Sequence, residues 1–337
     1  MRVWHIFSRV IDNYGDIAIA IRLAKQLNSL PENRAVLLAE KSNTLNELLA
    51  NDNATFKLLD IDDDLSMDAP ATFIVTIFNT EIPKNYLDKI SQKTKIFIYE
   101  YLTAESWTER FHLTPSLNLN PLIEKIYFYP GFSNKTGGLL REATVVKKEY
   151  KPSSINKSKI IKTSFFFYPH TKILEFLDLF DEIDYKCKAL IYKGIIDKET
   201  VLKLPYHTAT FNFLPPDQYD NLLYASDLNF VRGEDSLCRA IFSGKPFIWQ
   251  PYIQADGAHL KKLEAFIFKY FDSIDGKLKN IISDIFNDWS SGQFKSESIR
   301  NYLYHYEDIS LFYADRSNQF ISKKSVVENL LTIVEKS

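Results

Sequence analysis

Apolar runs that predict strands alternate along this chain with segments of helical periodicity, and this alternation restricts the fold more than any other feature. Residues 72–78 and 95–99 are continuous β-branched and aromatic runs, which is typical of strands covered on both faces. Residues 3–7 and 35–39 are further strand candidates, and residues 20–30 between them carry apolar side chains at helical spacing. The alternation predicts an α/β fold with a parallel, doubly wound sheet.

The same alternation restarts after residues 147–159, a stretch rich in lysine and serine with little apolar content. Such a composition is typical of an exposed connection between domains, and a length of 337 residues also favours two domains. Two α/β halves imply a cleft, with ligands beyond the carboxyl ends of the strands. Strands are predicted in the second half at residues 161–168, 189–192, 209–214, 228–231 and 246–249.

Charge and cysteine content exclude several classes of protein. With 41 basic and 43 acidic residues the formal net charge is −2, so no global field attracts nucleic acid or an anionic membrane. Cys187 and Cys238 lie far apart and beside no metal-ligand pattern, which argues against a disulfide framework or a zinc site. No apolar run reaches the length of a membrane span. We expect a cytoplasmic protein that binds any anion locally.

The most polar segment after a predicted strand is Arg-Gly-Glu-Asp-Ser at residues 232–236, which precedes a segment of helical periodicity. This pattern predicts an anion site, because backbone N–H groups at a helix start attract a phosphate and Arg232 can add a bidentate contact. The alternative is an ordinary capped helix with Asp235 or Ser236 as the cap, and with Glu234 only complementing the helix dipole.

A second polar loop, Asp-Asn-Tyr-Gly-Asp at residues 12–16, follows the first predicted strand. A carboxylate in a cleft can act as a general base or orient a cationic nucleophile. Gly15 permits an unusual backbone angle or the close approach of a ligand. The alternative is that Asp16 or Asn13 caps the helix that follows.

Other candidate chemistry is sparse. Phe166, Tyr168 and Tyr219 can stack on a planar base, although most such residues belong to a core. His259 lies in a predicted polar loop at residues 254–259, where it can serve a ligand or cap a helix. The sequence has no G-x-G-x-x-G after the first strand, no phosphate-binding P-loop, no G-x-S-x-G and no H-x-x-x-H pair. We therefore expect no cofactor and no metal.

Taken together, these segments resemble a known family, the EarP-type protein-arginine rhamnosyltransferases, which modify an arginine of translation elongation factor P. The resemblance covers most of the chain, and the matching segments occur in the same order as in the family. The matching segments are residues 11–17 with 22–24, 100–105 with Trp107, 129–132, 136–142, 227–236, 244–247, 258–260 and 262–263.

The resemblance implies a metal-independent GT-B glycosyltransferase with two Rossmann-like domains facing across a cleft. Residues 1–155 would bind the acceptor protein, joined by a terminal helix at 318–337, and residues 156–317 would bind the nucleotide sugar. The donor would be dTDP-β-L-rhamnose, and the sugar would be transferred with inversion to elongation factor P. That modification would activate elongation factor P to rescue ribosomes stalled at polyproline.

The resemblance also implies roles for individual residues. Asp16 would activate or orient the acceptor guanidinium, assisted by Asp12 and Glu234. Phe166, Tyr168 and Tyr219 would form the slot for thymine. The full set of residues implied to contact the donor is Asn13, Tyr14, Gly15, Phe166, Tyr168, Tyr219, Arg232, Gly233, Glu234, Asp235, Ser236 and Tyr252.

The sequence departs from the family pattern near the donor. Pro216 stands where a glutamine is usual, and residues 249–254 read Trp-Gln-Pro-Tyr-Ile-Gln where relatives commonly read Trp-His-Ile-Tyr-Pro-Gln. Two alternatives stay open: a non-catalytic nucleotide-sugar-binding or scaffold partner of elongation factor P, and a GT-B enzyme with another donor or acceptor. Carboxylates at both polar loops favour the enzyme.

Overall fold

The computed structural model divides the chain into two compact units, Met1–Val145 with Lys323–Ser337, and Val146–Ser322. The second unit thus begins before the predicted boundary at residue 156. Asp12 and Asn13 lie outside the described residues. The structure describes residues 1–9, 14–49, 55–63, 71–78, 80–118, 120–147, 149, 155–169, 171–254 and 256–336.

The strands follow the predicted alternation with helices. In chain order they are β1 Arg2–Ser8, β2 Asn33–Ala39, β3 Lys57–Asp60, β4 Phe73–Ile77, β5 Thr94–Tyr99, β6 Ile123–Phe128, β7 Ile160–Phe165, β8 Lys186–Tyr192, β9 Ala209–Phe211, β10 Leu228–Arg232 and β11 Phe247–Gln250.

The helices lie between these strands and, beyond β11, form a continuous helical region. In chain order they are α1 Tyr14–Ser29, α2 Asn43–Leu49, α3 Lys84–Leu87, α4 Thr108–Phe111, α5 Ile155–Ser158, α6 Ile173–Asp178, α7 Lys198–Lys203, α8 Pro216–Ala225, α9 Asp235–Ser243, α10 Ala258–Tyr270, α11 Gly276–Ser291, α12 Ser296–Tyr304, α13 Tyr306–Ile321 and α14 Val326–Glu335. Short 3-10 helices occupy Leu179–Glu182 and Lys193–Ile195.

The first unit is built on a parallel sheet in the order β3-β2-β1-β4-β5-β6. The central strand β1 sets the register, with Trp4 opposite Ala35 on one side and Phe73 on the other. Its side chains Ile6 and Phe7 are fully buried, because helices cover both faces of a sheet of this kind. The predicted doubly wound α/β architecture is confirmed in this unit.

The second unit repeats the design with a parallel sheet in the order β11-β10-β7-β8-β9. Phe165 at the end of β7 stacks on Phe230 of β10 with ring centroids 4.8 Å apart, and Trp289 of α11 packs 4.2 Å from Phe230. This aromatic core holds β7 and β10 side by side. The carboxyl ends of β7 and β10 therefore lie side by side, and the loops that follow these strands start next to each other.

The terminal helix α14 belongs to the first unit. Ser325 begins it with a capping box, in which the Ser325 side chain accepts from the Glu328 backbone and the Glu328 side chain accepts from the Ser325 backbone. The Val326 N–H donates to the Leu139 carbonyl at 3.1 Å, and the Asn329 amide donates to the Gly137 carbonyl at 3.0 Å. These bonds fix the loop after β6 against α14.

Two predicted loops differ from the structure. A proline and three glycines predict an irregular loop over residues 127–138. The loop begins only at Tyr129, because Tyr127 still belongs to β6 and its N–H donates to the Thr114 carbonyl at 3.0 Å. The polar loop expected up to His259 ends earlier, because α10 begins at Ala258. Over the part of the chain that is described, no helix is both long and apolar enough to cross a membrane.

Candidate functional site

The turn after β10 is shaped by one glycine. Gly233 has a φ of +67°, a left-handed conformation that side chains with a Cβ rarely adopt. Its N–H donates to the Gln250 carbonyl at 3.1 Å, and its carbonyl accepts from the Trp249 indole N–H at 2.6 Å. The neighbouring strand β11 therefore fixes the point at which α9 begins.

The start of α9 is not capped by the side chains that the alternative interpretation named. Glu234 occupies the cap position with helical backbone angles and without a side-chain cap bond. The Ser236 hydroxyl donates back to the Arg232 carbonyl, and the Asp235 carboxylate accepts from the Arg239 Nε at 2.8 Å. Capping by Asp235 or Ser236 is therefore wrong. The first N–H groups of a helix have no acceptor within the helix, which suits this end to an anion.

Both acidic side chains at this helix start are paired with cations. Arg239, which is buried, also donates to both carboxylate oxygens of Asp220 at 3.0 Å. Glu234 accepts from the Lys262 ammonium of α10 at 2.6 Å. Pairing offsets the negative charge that two carboxylates would otherwise place at an anion site.

The structure brings Arg232 together with two of the residues predicted to hold thymine. The guanidinium carbon lies 4.5 Å from the Phe166 ring centroid and 4.6 Å from that of Tyr168. One guanidinium nitrogen also donates to the Phe167 carbonyl at 2.8 Å. Aromatic faces and a carbonyl together orient this cation at the carboxyl end of β7.

The remaining aromatic residues extend the same cluster. Tyr219 and Tyr192 approach Phe166 edge-on, with centroids at 6.0 and 5.5 Å, and Tyr252 approaches Tyr168 in the same way at 5.7 Å. Burial raises the pKa of the Tyr219 hydroxyl well above its ordinary value of 10.0. Tyr252 is 55% exposed. The cluster offers flat apolar surface of the kind that stacks on a base.

Two residues that depart from the family pattern, Pro216 and Gln250, fit their positions in the structure. Pro216 is the first residue of α8, where a proline suits the helix because the N–H it lacks would have no acceptor there. The Gln250 side chain is buried and accepts from the Tyr168 N–H at 3.3 Å. Gln250 thus supports one of the aromatic residues of the cluster.

In the first unit, Asp16 lies in the first turn of α1 and is 3% exposed. An acid at this position is favourable to the helix dipole. Tyr14 and Gly15 are the first two residues of the same helix. Of the two possibilities named for Gly15, the unusual backbone angle is not found, and a Cβ there would meet no atom within 4 Å.

Two of the family-matched segments of the first unit are joined by an ion pair. Arg22 of α1 is buried and donates to both carboxylate oxygens of Glu142, at 2.5 and 2.8 Å. It also donates to the Leu140 carbonyl at 3.1 Å. The helix that carries Asp16 is therefore held by the loop after β6.

Two further segments that match the family contact each other through Trp107 and Tyr129, where the loop after β6 begins. Trp107 packs edge-on against Tyr129 with centroids 5.4 Å apart and is 42% exposed. The Tyr129 N–H donates to His112 Nδ1 at 3.1 Å. Burial lowers the pKa of His112 to about 4, which keeps Nδ1 free to accept this bond at neutral pH.

Sequence reasoning gave no role to several residues that support the site. The spacing of Asp235 and Arg239, four residues apart on a helix, is a signal that could have identified their pair. Lys262 and Tyr192 carry no such signal, because their contacts are distant in sequence. Among the described residues, no three His, Cys, Asp or Glu side chains are grouped as a metal site would require.

Comparisons with known proteins agree on one family. The profile of a family described as elongation factor P (EF-P) rhamnosyltransferase EarP matches residues 4–335 of the chain. A protein-arginine rhamnosyltransferase of Pseudomonas putida is 30% identical over 306 residues, which cover 79% of this chain and 81% of the relative.

Solved structures share the fold over its full length. One, described as the structural basis for EarP-mediated arginine glycosylation of translation elongation factor EF-P, superposes with a TM-score of 0.64 at 19% identity and covers 100% of both chains. The spinosyn rhamnosyltransferase SpnG complexed with thymidine diphosphate superposes with a TM-score of 0.54 at 11% identity, again over 100% of both chains. The predicted GT-B fold class is confirmed.

Proposed function

The chain belongs to the EarP family of elongation factor P rhamnosyltransferases, and from this premise we propose that it transfers L-rhamnose from dTDP-β-L-rhamnose to an arginine of translation elongation factor P. The family membership confirms the predicted enzyme class, a glycosyltransferase. The named donor, acceptor and stereochemistry are the proposal. Activation of elongation factor P for ribosomes stalled at polyproline would be the outcome.

The observation that carries the proposed donor site is the junction between β10 and α9. An uncapped helix start, Gly233 with its left-handed backbone and the Arg232 guanidinium all lie beside the aromatic cluster of Phe166, Tyr168, Tyr219 and Tyr252. A nucleoside diphosphate presents the complementary chemistry, because it joins a flat base to two phosphates. SpnG, a rhamnosyltransferase of this fold, is complexed with thymidine diphosphate, which agrees with a dTDP donor.

The arginine guanidinium must be activated before it can act as a nucleophile. A free guanidinium stays protonated at neutral pH and its lone pairs are delocalised. A guanidinium nitrogen attacks the anomeric carbon, the bond from that carbon to the diphosphate oxygen breaks, and the nitrogen gives up a proton. A single displacement converts the β-linked donor into an α-linked rhamnosyl-arginine.

Three carboxylates are assigned to the acceptor side of this step. Asp16 orients the guanidinium and accepts its proton, and Asp12 and Glu234 assist by holding the planar fork. The burial of Asp16 in the first turn of α1 supports its role, because a rigid helix start positions a carboxylate well. Arg232 and the N–H groups of α9, including those of Asp235 and Ser236, stabilise the negative charge that develops on the leaving dTDP.

The two units have different proposed roles in this reaction. The second unit carries the donor site just described, and the first unit, which α14 joins, would bind the acceptor protein. The family resemblance also implies donor contacts for Asn13, which lies outside the described residues, and for Tyr14 and Gly15, the first two residues of α1. No resident cofactor or metal is needed for this displacement, because the helix start and Arg232 supply the stabilising charge.

Release of dTDP tests the proposed function against its alternatives. Incubation of the protein with dTDP-rhamnose should release dTDP when elongation factor P is present and none when it is absent. A non-catalytic binder releases no dTDP in either case although it binds the nucleotide. An enzyme with another acceptor binds dTDP but releases none with elongation factor P, and an enzyme whose donor carries another nucleotide does not bind dTDP.

A further inference from the structure

The contact between Lys262 and Glu234 joins two helices at the start of α9. The Lys262 Nζ lies 2.6 Å from a carboxylate oxygen of Glu234, and the side chains are 21% and 12% exposed. Lys262 lies in the first half of α10, 28 residues along the chain from Glu234. An ion pair that is partly withdrawn from solvent is screened less than a surface pair, so it fixes both groups more firmly.

The position of Glu234 poses an electrostatic problem for a diphosphate site. Glu234 is at the cap position of α9, next to the N–H groups that would hold the phosphates. A carboxylate repels a bound diphosphate unless a cation offsets its charge. Lys262 contacts Glu234 directly and is therefore placed to offset that charge.

The pair at Glu234 differs from the pair at Asp235. Asp235 is bound by Arg239 within the same helix, and the Arg239 side chain is 4% exposed, as expected of a structural ion pair. Lys262 comes from another helix and is more exposed. Replacing Lys262 should therefore disturb the charge at the helix start more than the stability of the unit.

We propose that Lys262 is a positioning residue of the donor site, whose ammonium holds the Glu234 carboxylate and offsets its charge so that a nucleoside diphosphate can bind at the start of α9. The inference rests on the proposed donor site. Lys262 acts on the donor through Glu234. The effect of Lys262 on nucleotide affinity should therefore grow with the number of phosphate charges on the nucleotide.

The experiment measures the affinity of the full chain for thymidine, dTMP and dTDP by titration calorimetry. Lys262→Met should weaken dTDP binding about tenfold, weaken dTMP binding less and leave thymidine binding unchanged. Lys262→Arg should restore most of the dTDP affinity, because it returns a cation to the same place. Lys261→Met is the matched control, since Lys261 is exposed on the same helix, and it should bind all three ligands as the wild type does.

A double variant separates an electrostatic role from a structural one. Lys262→Met combined with Glu234→Gln should bind dTDP as Glu234→Gln alone does, because the uncompensated carboxylate is gone. The inference is overturned if Lys262→Met binds dTDP as the Lys261→Met control does. It is equally overturned if thymidine loses as much affinity as dTDP, or if the double variant keeps the full loss. A wild-type protein that binds no dTDP overturns the proposed donor, and the inference with it.

Discussion

The guanidinium carbon of Arg232 lies 4.5 Å from the centroid of the Phe166 ring, one of the residues that the family resemblance implies for the thymine slot. The same guanidinium contacts Tyr168, so one cation lies against two rings implied to bind the base. In the proposed donor site, the cation proposed to contact phosphate therefore packs against two of the rings proposed to bind the base. A change in the cation should alter the binding of the whole nucleotide.

Arg232→Lys tests whether the planar guanidinium contributes to nucleotide binding. A lysine keeps the charge but loses the planar group that lies against Phe166 and the bond to the Phe167 carbonyl. We expect dTDP to bind about tenfold more weakly, which corresponds to about 1.4 kcal/mol. Calorimetric titration with dTDP measures the effect, and Arg300→Lys at an exposed site of the same unit is the control. Equal affinity in the two variants would show that the guanidinium plane has no part in binding.

Arg22→Met tests the support of the helix that carries Asp16. The change leaves Glu142 without its bidentate partner and the Leu140 carbonyl without a donor. We expect the free energy of unfolding to fall by about 2 kcal/mol, which is below the value for a fully buried pair because Glu142 is partly exposed. Urea unfolding measures the loss. Arg34→Met, at an exposed position near the start of β2, should change little, and a similar loss there would refute the importance of the pair.

Gly138→Ala tests the contact between the loop after β6 and α14. Gly138 has a φ of +76°, and a Cβ there would lie 2.4 Å from the Lys324 carbonyl oxygen. Both the strained backbone and the clash oppose alanine, so we expect a loss of about 2 kcal/mol and a lower Tm. Gly276→Ala is the matched control, because a Cβ there meets nothing within 4 Å. An unchanged Tm for Gly138→Ala would contradict this packing.

The stability of the first unit should depend on pH through His5. Burial, together with the charges of Lys57 and Arg34, lowers the pKa of His5 to about 4, and its Nδ1 lies 2.6 Å from the Tyr86 hydroxyl. The unfolded chain binds this proton near pH 6.5, so the stabilisation is complete above pH 6.5 and is lost as the pH falls towards 4.

Unfolding measured between pH 7.5 and 4.5 tests this dependence. The slope due to His5 should approach about 1.4 kcal/mol per pH unit. His112, whose pKa is also lowered to about 4 by burial, adds a slope of the same sign. His5→Gln should lower stability at pH 7.5 but flatten the dependence. A slope identical to that of the wild type would show that His5 is not the group that titrates.

The alternation of parallel strands with helices in both units was predicted from periodicity, because buried parallel strands must be apolar throughout. Helix termini were harder to predict. Asp235 and Ser236 have the side chains of good caps, yet one is bound by Arg239 and the other bonds back to Arg232. Both partners lie only four residues away, and the sequence alone left these local contacts open beside capping.

Contacts between distant residues could not be predicted. Glu234 and Lys262 come together only because α9 and α10 pack in one unit, and the sequence spacing of 28 residues carries no signal of it. Arg232 was expected to face a phosphate, and its contact with Phe166 depends on the adjacency of β7 and β10. Apolar periodicity predicts which face of an element is buried, but it does not specify which individual side chains meet between elements.

The mass of elongation factor P after incubation with dTDP-rhamnose and either the wild-type protein or Asp16→Asn tests the central claim most directly. With the wild type, elongation factor P should gain the mass of one deoxyhexose on a single arginine side chain. With Asp16→Asn the gain should fall at least a hundredfold in rate, because the carboxylate no longer orients the guanidinium or accepts its proton, while dTDP binds unchanged. An unmodified elongation factor P at every concentration of the wild type, or equal rates for the two proteins, would contradict the account.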